Sequence, residues 1–400
     1  MSPRPSRRAL LGSLGASIAA LAGCTASPDD PPAAGVDAMP DPDDHIFGAD
    51  GEWGSFGSDA SNTRQVSDGK APIDGVSEQW RVEVPQLSRR VEPLVANDTV
   101  YHVHGDSLHA LEASDGSRRW SLPDVGELPL VFGDTAYVPQ SDRLVAVDSA
   151  TGERHWERPI DAWGGVGTPA TYAGDRLYVP AGERLFQLDP ATGETEWSRR
   201  LFGRLFGQPA IHNGHTIAVV TEARKLFLLG PDGVGRGEWT FPAMVQAPPS
   251  TGTDGIYCNF LDGKTRGIRT GYTPRGEVDW TVETGWNNGV LAVGQYLYAA
   301  GTRGLSAIDP KTGDRRWTYD TGDWRHTAPV LARDTVFVGG DKLYALDPTP
   351  NTTAFGEDGP ATRWERSFHG RVGPGPVIDD GVIYVVAQTG EQSFHLLALA

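Results

Sequence analysis

The side chains in this chain best suited to holding a ligand are its histidines, its arginines and those tryptophans that fall outside a regular series. His102 and His104 stand one residue apart in Tyr101-His102-Val103-His104. On a β-strand that spacing puts both imidazoles on one face, where they could give two nitrogen ligands to a zinc-type ion. No third ligand follows in sequence, so the pair alone is not read as a metal site. A second group is dispersed: Arg90, Trp163, Arg204, Trp286, Asn287, Trp324, His326 and Arg371, with Arg89, Glu127, Gln246, Arg325 and His369 beside them. Most stand a few residues ahead of a recurring proline, and Trp286 and Asn287 stand ahead of Asn288-Gly289. Trp and Arg often dominate protein interfaces, because both bury large area and Arg adds directed donors. The chemistry this group suggests is recognition of a protein or peptide partner. The plainer alternative is that the aromatics fill a channel and the arginines pair with an acidic surface. Gly-rich phosphate loops, HExxH, CxxC and GxSxG are absent from the sequence, so no catalytic residue, metal ligand or cofactor is assigned.

Residues so far apart need a scaffold, and the sequence supplies one by repetition. Trp80, Trp120, Trp156, Trp197, Trp239, Trp280, Trp317 and Trp364 recur about every 40 residues. Strand-built repeats of that length are the signature of propellers, whose blades bury their faces only against neighbouring blades. A motif travels with the tryptophan: LVAVDSATGERHW before Trp156, LFQLDPATGETEW before Trp197, LSAIDPKTGDRRW before Trp317 and the looser LHALEASDGSRRW before Trp120. Alternating apolar residues such as Leu185 and Leu188 predict a strand. The Asp-Pro-x-Thr-Gly step predicts a tight turn, and the chain returns on a strand carrying Trp. The expectation is an all-β, eight-bladed propeller over 49–400, with each indole in the core and worth about 3–5 kcal/mol. Asp148, Asp189, Asp309 and Asp347 belong to the turns, where a carboxylate caps backbone N–H groups. An insertion that follows LYALDPT (from Leu343) and precedes Trp364, NTTAFGEDGPA, is read as a surface loop, with a partner-specific outgrowth as the alternative.

The two ends of the repeat complement each other. The last unit stops after its third strand at Ala400, and Glu78 to Val84 is a strand with no preceding repeat. Glu78 to Val84 is therefore expected to complete the last blade and leave no open sheet edge. Pro93, Pro129, Pro169, Pro209, Pro248, Pro329 and Pro376 follow the tryptophans at similar distances. Proline cannot donate to a ladder and belongs at a strand start or edge, as in the strand lining a central channel. The residues ahead of these prolines are thus predicted to ring one mouth of that channel.

Compartment is read from the start of the chain. Arg4, Arg7 and Arg8 precede a short apolar run from Ala9 to Gly23, an export signal in form, and Leu21-Ala22-Gly23-Cys24 has the form of a lipobox. The expected organisation is a twin-arginine-type signal at 1–23, lipidation at Cys24, a Pro- and Asp-rich tether at 24–48, and the propeller. The protein would be exported, lipid-anchored to the outer face of the cytoplasmic membrane, and monomeric. With Cys24 acylated, Cys258 has no partner for a disulfide in one chain. A net charge of −17, with 5 Lys against 30 Arg, argues against nucleic acid as a partner. It is the balance of a salt-adapted protein, as in a halophilic archaeon, or of a GC-rich bacterial genome.

The A-x-D-x-x-T-G-x-x-x-W string resembles the tryptophan-docking repeat of pyrroloquinoline-quinone (PQQ)-like propellers. That family holds quinoprotein alcohol dehydrogenases and the non-enzymatic lipoprotein scaffold of outer-membrane β-barrel assembly. The stretch Glu52 to Arg64, EWGSFGSDASNTR, is similar to the lead-in of such propellers. The resemblance implies two functions: a membrane-tethered, non-catalytic scaffold, which is expected, or a dehydrogenase of alcohols or sugars holding PQQ and calcium over the channel. Carbohydrate or small-ligand binding is a further alternative. The enzyme would need acidic and amide oxygen donors at the mouth, where only Glu127, Asn287 and Asn288 can be nominated, and the adjacent cysteine pair of many such dehydrogenases is missing.

Overall fold

The computed structural model describes residues 53–66, 69–85, 92–270, 278–287, 289–322, 326–352 and 358–400. Among the described residues every regular element is a strand, and the strands form eight sheets. Blade 1 is built from Leu94–Ala96, Thr99–His104, Ser107–Glu112 and Arg118–Pro123, each antiparallel to the next. Blades 2 to 7 repeat this meander over 130–159, 171–200, 210–240, 250–283, 292–319 and 330–367. Blade 8 takes three strands from 377–399 and its outermost strand from Glu78–Val84. The register runs from Glu78 opposite Leu399 to Val84 opposite Phe394, and Ser77 and Ala400 exchange backbone bonds of 2.7 and 2.9 Å. The expected closure is present.

The inner strands are buried at nearly every position because each blade packs on both sides, and only the outermost strands alternate. Leu130, Tyr137, Leu144 and Ala146 of blade 2 meet Tyr172, Leu177, Val179 and Leu188 of blade 3, and similar clusters fill the other seams. The tryptophans tie the seams at the rim. Indole Nε1 donates across the seam from Trp80 to Ala113 O, Trp120 to Ser149 O, Trp156 to Pro190 O, Trp197 to Pro231 O, Trp280 to Pro310 O, Trp317 to Pro348 O and Trp364 to Pro72 O, at 2.7–3.1 Å. The turn glycine is therefore the platform for the preceding blade's indole, and the Trp four residues on docks one blade further. Gly193 has φ 71°, and a Cβ there would lie 2.7 Å from the Trp156 ring. Both the turn and the stacking exclude any other residue. Trp80, Trp239, Trp280 and Trp317 are buried, whereas Trp120, Trp156, Trp197 and Trp364 are half-buried. The expectation of eight core indoles is corrected for these four: all eight stand on outermost strands at the edge of the ring, and the neighbouring blade covers them to different depths.

The turn aspartates are caps. Asp189 Oδ1 accepts from the N–H groups of Ala191 and Thr192 at 2.9 and 2.8 Å, and Asp148 and Asp309 do the same. The blade 7 insertion differs from expectation. Lys342–Thr352 and Asp358–Ser367 continue pairing past Asp347, so the flanks of the insertion prolong a hairpin, with Asn351 opposite Gly359.

Candidate functional site

The lead-in lies across the channel. Backbone N–H groups of Val95, Val131, Ile211, Thr251, Val293 and Leu331, all on innermost strands, donate to Trp53, Gly54, Ala60, Ser61, Thr63 and Arg64 at 2.6–3.2 Å. Gln65–Val66 adds a parallel strand inside blade 7. Asn62 Nδ2 reaches the carbonyls of Gln208 and Pro249. Arg64 is fully buried. Its guanidinium donates to the carbonyls of Pro329 and Pro376 at 2.7 and 2.9 Å and grips both carboxylate oxygens of Glu92 at 2.5 and 2.6 Å, with Trp53 stacked 4.8 Å away. Burial pushes the Arg64 pKa down and the Glu92 pKa up, and their mutual bonds oppose both shifts. One side chain thus joins blades 1, 7 and 8 around the closure. The sequence marks this segment only by its likeness to the lead-in of such propellers and carries no sign of a plug.

Above the plug the channel mouth is a blind cup of about 360 Å³. Phe56 of the lead-in, packed on Ala247, Val290 and Ala328, closes it below. The walls come from the segments joining one blade's outermost strand to the next blade's innermost: Glu127 and Leu128; Gly167 to Pro169; Arg204 to Gln208; Gln246 and Pro248; Trp286; His326; and Glu222 from a neighbouring hairpin. The prolines do stand at the starts of the innermost strands, as anticipated from their missing donor.

Of the candidate residues, Arg204, Trp286 and His326 meet in this cup, with Glu127 and Gln246 beside them. The Trp286 and His326 rings stand edge to face at 5.9 Å. Asn287 is buried beneath the surface with its amide committed: Nδ2 donates to Ala300 O and Thr327 O, and Oδ1 accepts from Gly289 N. It holds blade 6 to blade 7 and offers nothing to a ligand, which corrects its nomination. Trp163 stands on the rim, 85% exposed, and Arg371 is exposed outside the cup lining. Cys24, Arg90 and Trp324 lie outside the described residues. Gln208, Glu222 and Phe206 were missed, since nothing but the nearness of Phe206 and Gln208 to Pro209 marks any of them.

The histidine pair gains a neighbour. His109 lies opposite His102 across the blade 1 ladder, and the His104 and His109 rings stack at 4.0 Å. Stacked rings do not converge on an ion, and no group of three metal-ligating side chains assembles among the described residues. Both ring nitrogens of buried His102 lack a protein partner, and burial holds its pKa down at about 3. Cys258 is buried, with its thiol pushed up to about 12, and is therefore unreactive.

A quinone and calcium of the kind found in dehydrogenases would need several converging oxygen donors. The cup offers the carboxylates of Glu127 and Glu222 and the amides of Gln208 and Gln246 against one arginine, and the nearby Asn287 amide is taken. Among the described residues no group of three His, Cys, Asp or Glu side chains converges there, so the lining does not present the ligand set that pair needs. No helix among the described residues is long and apolar enough to cross a membrane.

Comparison with known proteins follows the fold. BamB from Moraxella catarrhalis superimposes with a TM-score of 0.60 over 80% of this chain and 97% of that one, at 16% identity. Quinohemoprotein alcohol dehydrogenase from Comamonas testosteroni gives 0.69 over 87% and 80%, at 12% identity. A europium-containing methanol dehydrogenase gives 0.67 over 88% and 98%, also at 12% identity. At these identities the likeness establishes the propeller and no activity. Curated proteins give no sequence match. The family model of outer membrane protein assembly factor BamB matches residues 74–168, 161–242 and 265–352, more than half of the sequence, and the chain belongs to that family.

Proposed function

We propose that the protein is a membrane-tethered, extracytoplasmic scaffold that binds a protein partner at the channel mouth and catalyses no reaction. The observation that carries this reading is an apolar rim on the mouth face. Trp163, Phe202, Met244 and Leu261 are 85%, 63%, 40% and 48% exposed, on loops of blades 3, 4 and 5. Gly164, beside Trp163, lies against the Arg204 guanidinium, and Leu261 N–H donates to Met244 O, so the rim borders the cup. Exposed aromatics clustered beside a polar concavity are the usual anatomy of a protein interface. Family membership supports the same reading, since the family's namesake is an assembly factor. Tethering through Cys24 and export by the 1–23 signal are part of the proposal.

The test is capture by the full lipoprotein in its native membrane, followed by chemical cross-linking. Trp163→Ser with Phe202→Ser is expected to lose the cross-linked partner while thermal unfolding stays unchanged. Cys24→Ser is expected to release the protein from the membrane fraction. Unchanged capture by the rim variant would move the interface elsewhere. Saturable binding of PQQ with calcium, together with dye-linked alcohol oxidation, would replace the scaffold by the quinoprotein alternative.

A further inference from the structure

We infer that the cup receives the free carboxyl-terminal end of a peptide chain, an inference that rests on the channel mouth being the partner-binding face. Gln208 is the first support. It lines the cup at 1% exposure, and neither its amide nitrogen nor its amide oxygen bonds to any protein group. A buried amide left unpaired is costly, so a ligand that satisfies it gains affinity. Its donor and acceptor stand side by side, the arrangement a peptide unit complements with its own C=O and N–H.

Arg204 is the second support. Its guanidinium lies along the glycine backbone at Gly164 and Gly167, within 3.5–3.6 Å of where a Cβ would sit. Among the described residues it makes no ion pair, so it is available to one carboxylate, which Arg grips bidentately. Glu127 and Glu222 on the same walls oppose a polyanion, which limits the ligand to a single negative charge. Leu205, Phe206, Pro248 and Trp286 leave apolar wall for a final side chain. The floor at Phe56 decides between an end and a loop of chain. A blind cup of about 360 Å³ admits a terminus but gives a through-running segment no exit. That volume falls at the low end for small-ligand pockets.

The probes are N-acetyl-Ala-Ala-Phe with a free carboxylate and the same peptide as its carboxamide, titrated calorimetrically into the full-length protein. The acid is expected to bind about tenfold more tightly than the amide, and Arg204→Gln to erase that difference. Gln208→Leu is expected to weaken both peptides by about tenfold. Arg204 is exposed, so Arg204→Gln keeps the fold even if Gln208→Leu perturbs it. Equal affinity for acid and amide overturns the inference, as does no binding of either. If neither peptide binds while the rim variant still loses its cross-linked partner, the mouth is an interface of another kind and only this inference falls. If capture is unaffected as well, both readings fall.

Discussion

Arg64 shows how much one residue can decide. A guanidinium with no exposure is stable only because Glu92 and two proline carbonyls saturate it, and Gly57 N–H also donates to Glu92. Breaking a buried pair by removing one partner strands the other charge and costs about 3–5 kcal/mol. Glu92→Gln is therefore expected to lower stability in denaturant unfolding by about that amount, and Arg64→Met with Glu92→Met by clearly less. Equal losses would mean that the pair itself contributes net stability. His102 poses the opposite case, a group kept neutral. Its pKa falls from 6.5 to about 3 on folding, so the unfolded chain binds the proton more readily. Its contribution is intact above pH 6.5 and is lost as pH falls toward 3. His102→Leu should flatten the acid side of the stability profile across that window, measured against wild type so that carboxylate titration cancels. The sequence marked His102 and His104 by their spacing but not His109, because a cross-strand neighbour depends on ladder register.

At the level of elements the blade was readable because its parts are local. The Asp cap, the turn glycine and the returning Trp lie within one hairpin, and local signals survive without knowledge of the fold. One periodic signal was passed over. Tyr101, Tyr137, Tyr178, Tyr257, Tyr298, Phe337 and Tyr384 occupy the same place on successive second strands, each with its ring 5.9–6.2 Å from its own blade's Trp. Blade 4 breaks the series with Ala218 at that place. What could not be read was the docking partner, since each indole crosses to the next blade and that pairing exists only after the ring is closed. Depth should set the cost of losing an indole. Trp317 is buried and Trp120 half-buried. Trp317→Ala is expected to cost about 3–5 kcal/mol and Trp120→Ala less, as measured by urea midpoints at unchanged slope. Equal costs would mean that the seam bond, common to both, dominates over burial.

For the whole molecule, a ring must be held shut where its two ends meet, and this chain does so twice. Glu78–Val84 zips onto the final strand, a closure legible in the sequence because each end lacks what the other has. The second latch is the lead-in, which bonds to six innermost strands and reaches blades 7, 8 and 1 through Arg64. It was illegible because EWGSFGSDASNTR has neither strand alternation nor a hydrophobic run. It is short, polar and glycine-rich, and it gains order only from carbonyl and N–H groups that the finished ring presents. The two latches predict a graded response to truncation. Deleting residues 1–44 should leave the thermal midpoint unchanged, because the proposed signal at 1–23 is removed on export and residues 24–44 are too rich in Pro and Asp to bury a core. Deleting 1–66 removes the plug and strands Glu92, so the midpoint should fall although the edge of blade 8 stays paired. Deleting 1–84 also exposes that edge and should leave the protein unfolded or aggregated. If 1–66 and 1–44 melt alike, the strand zipper alone closes the ring and the lead-in is cargo in the channel. If 1–66 fails as completely as 1–84, the plug is what the ring folds around.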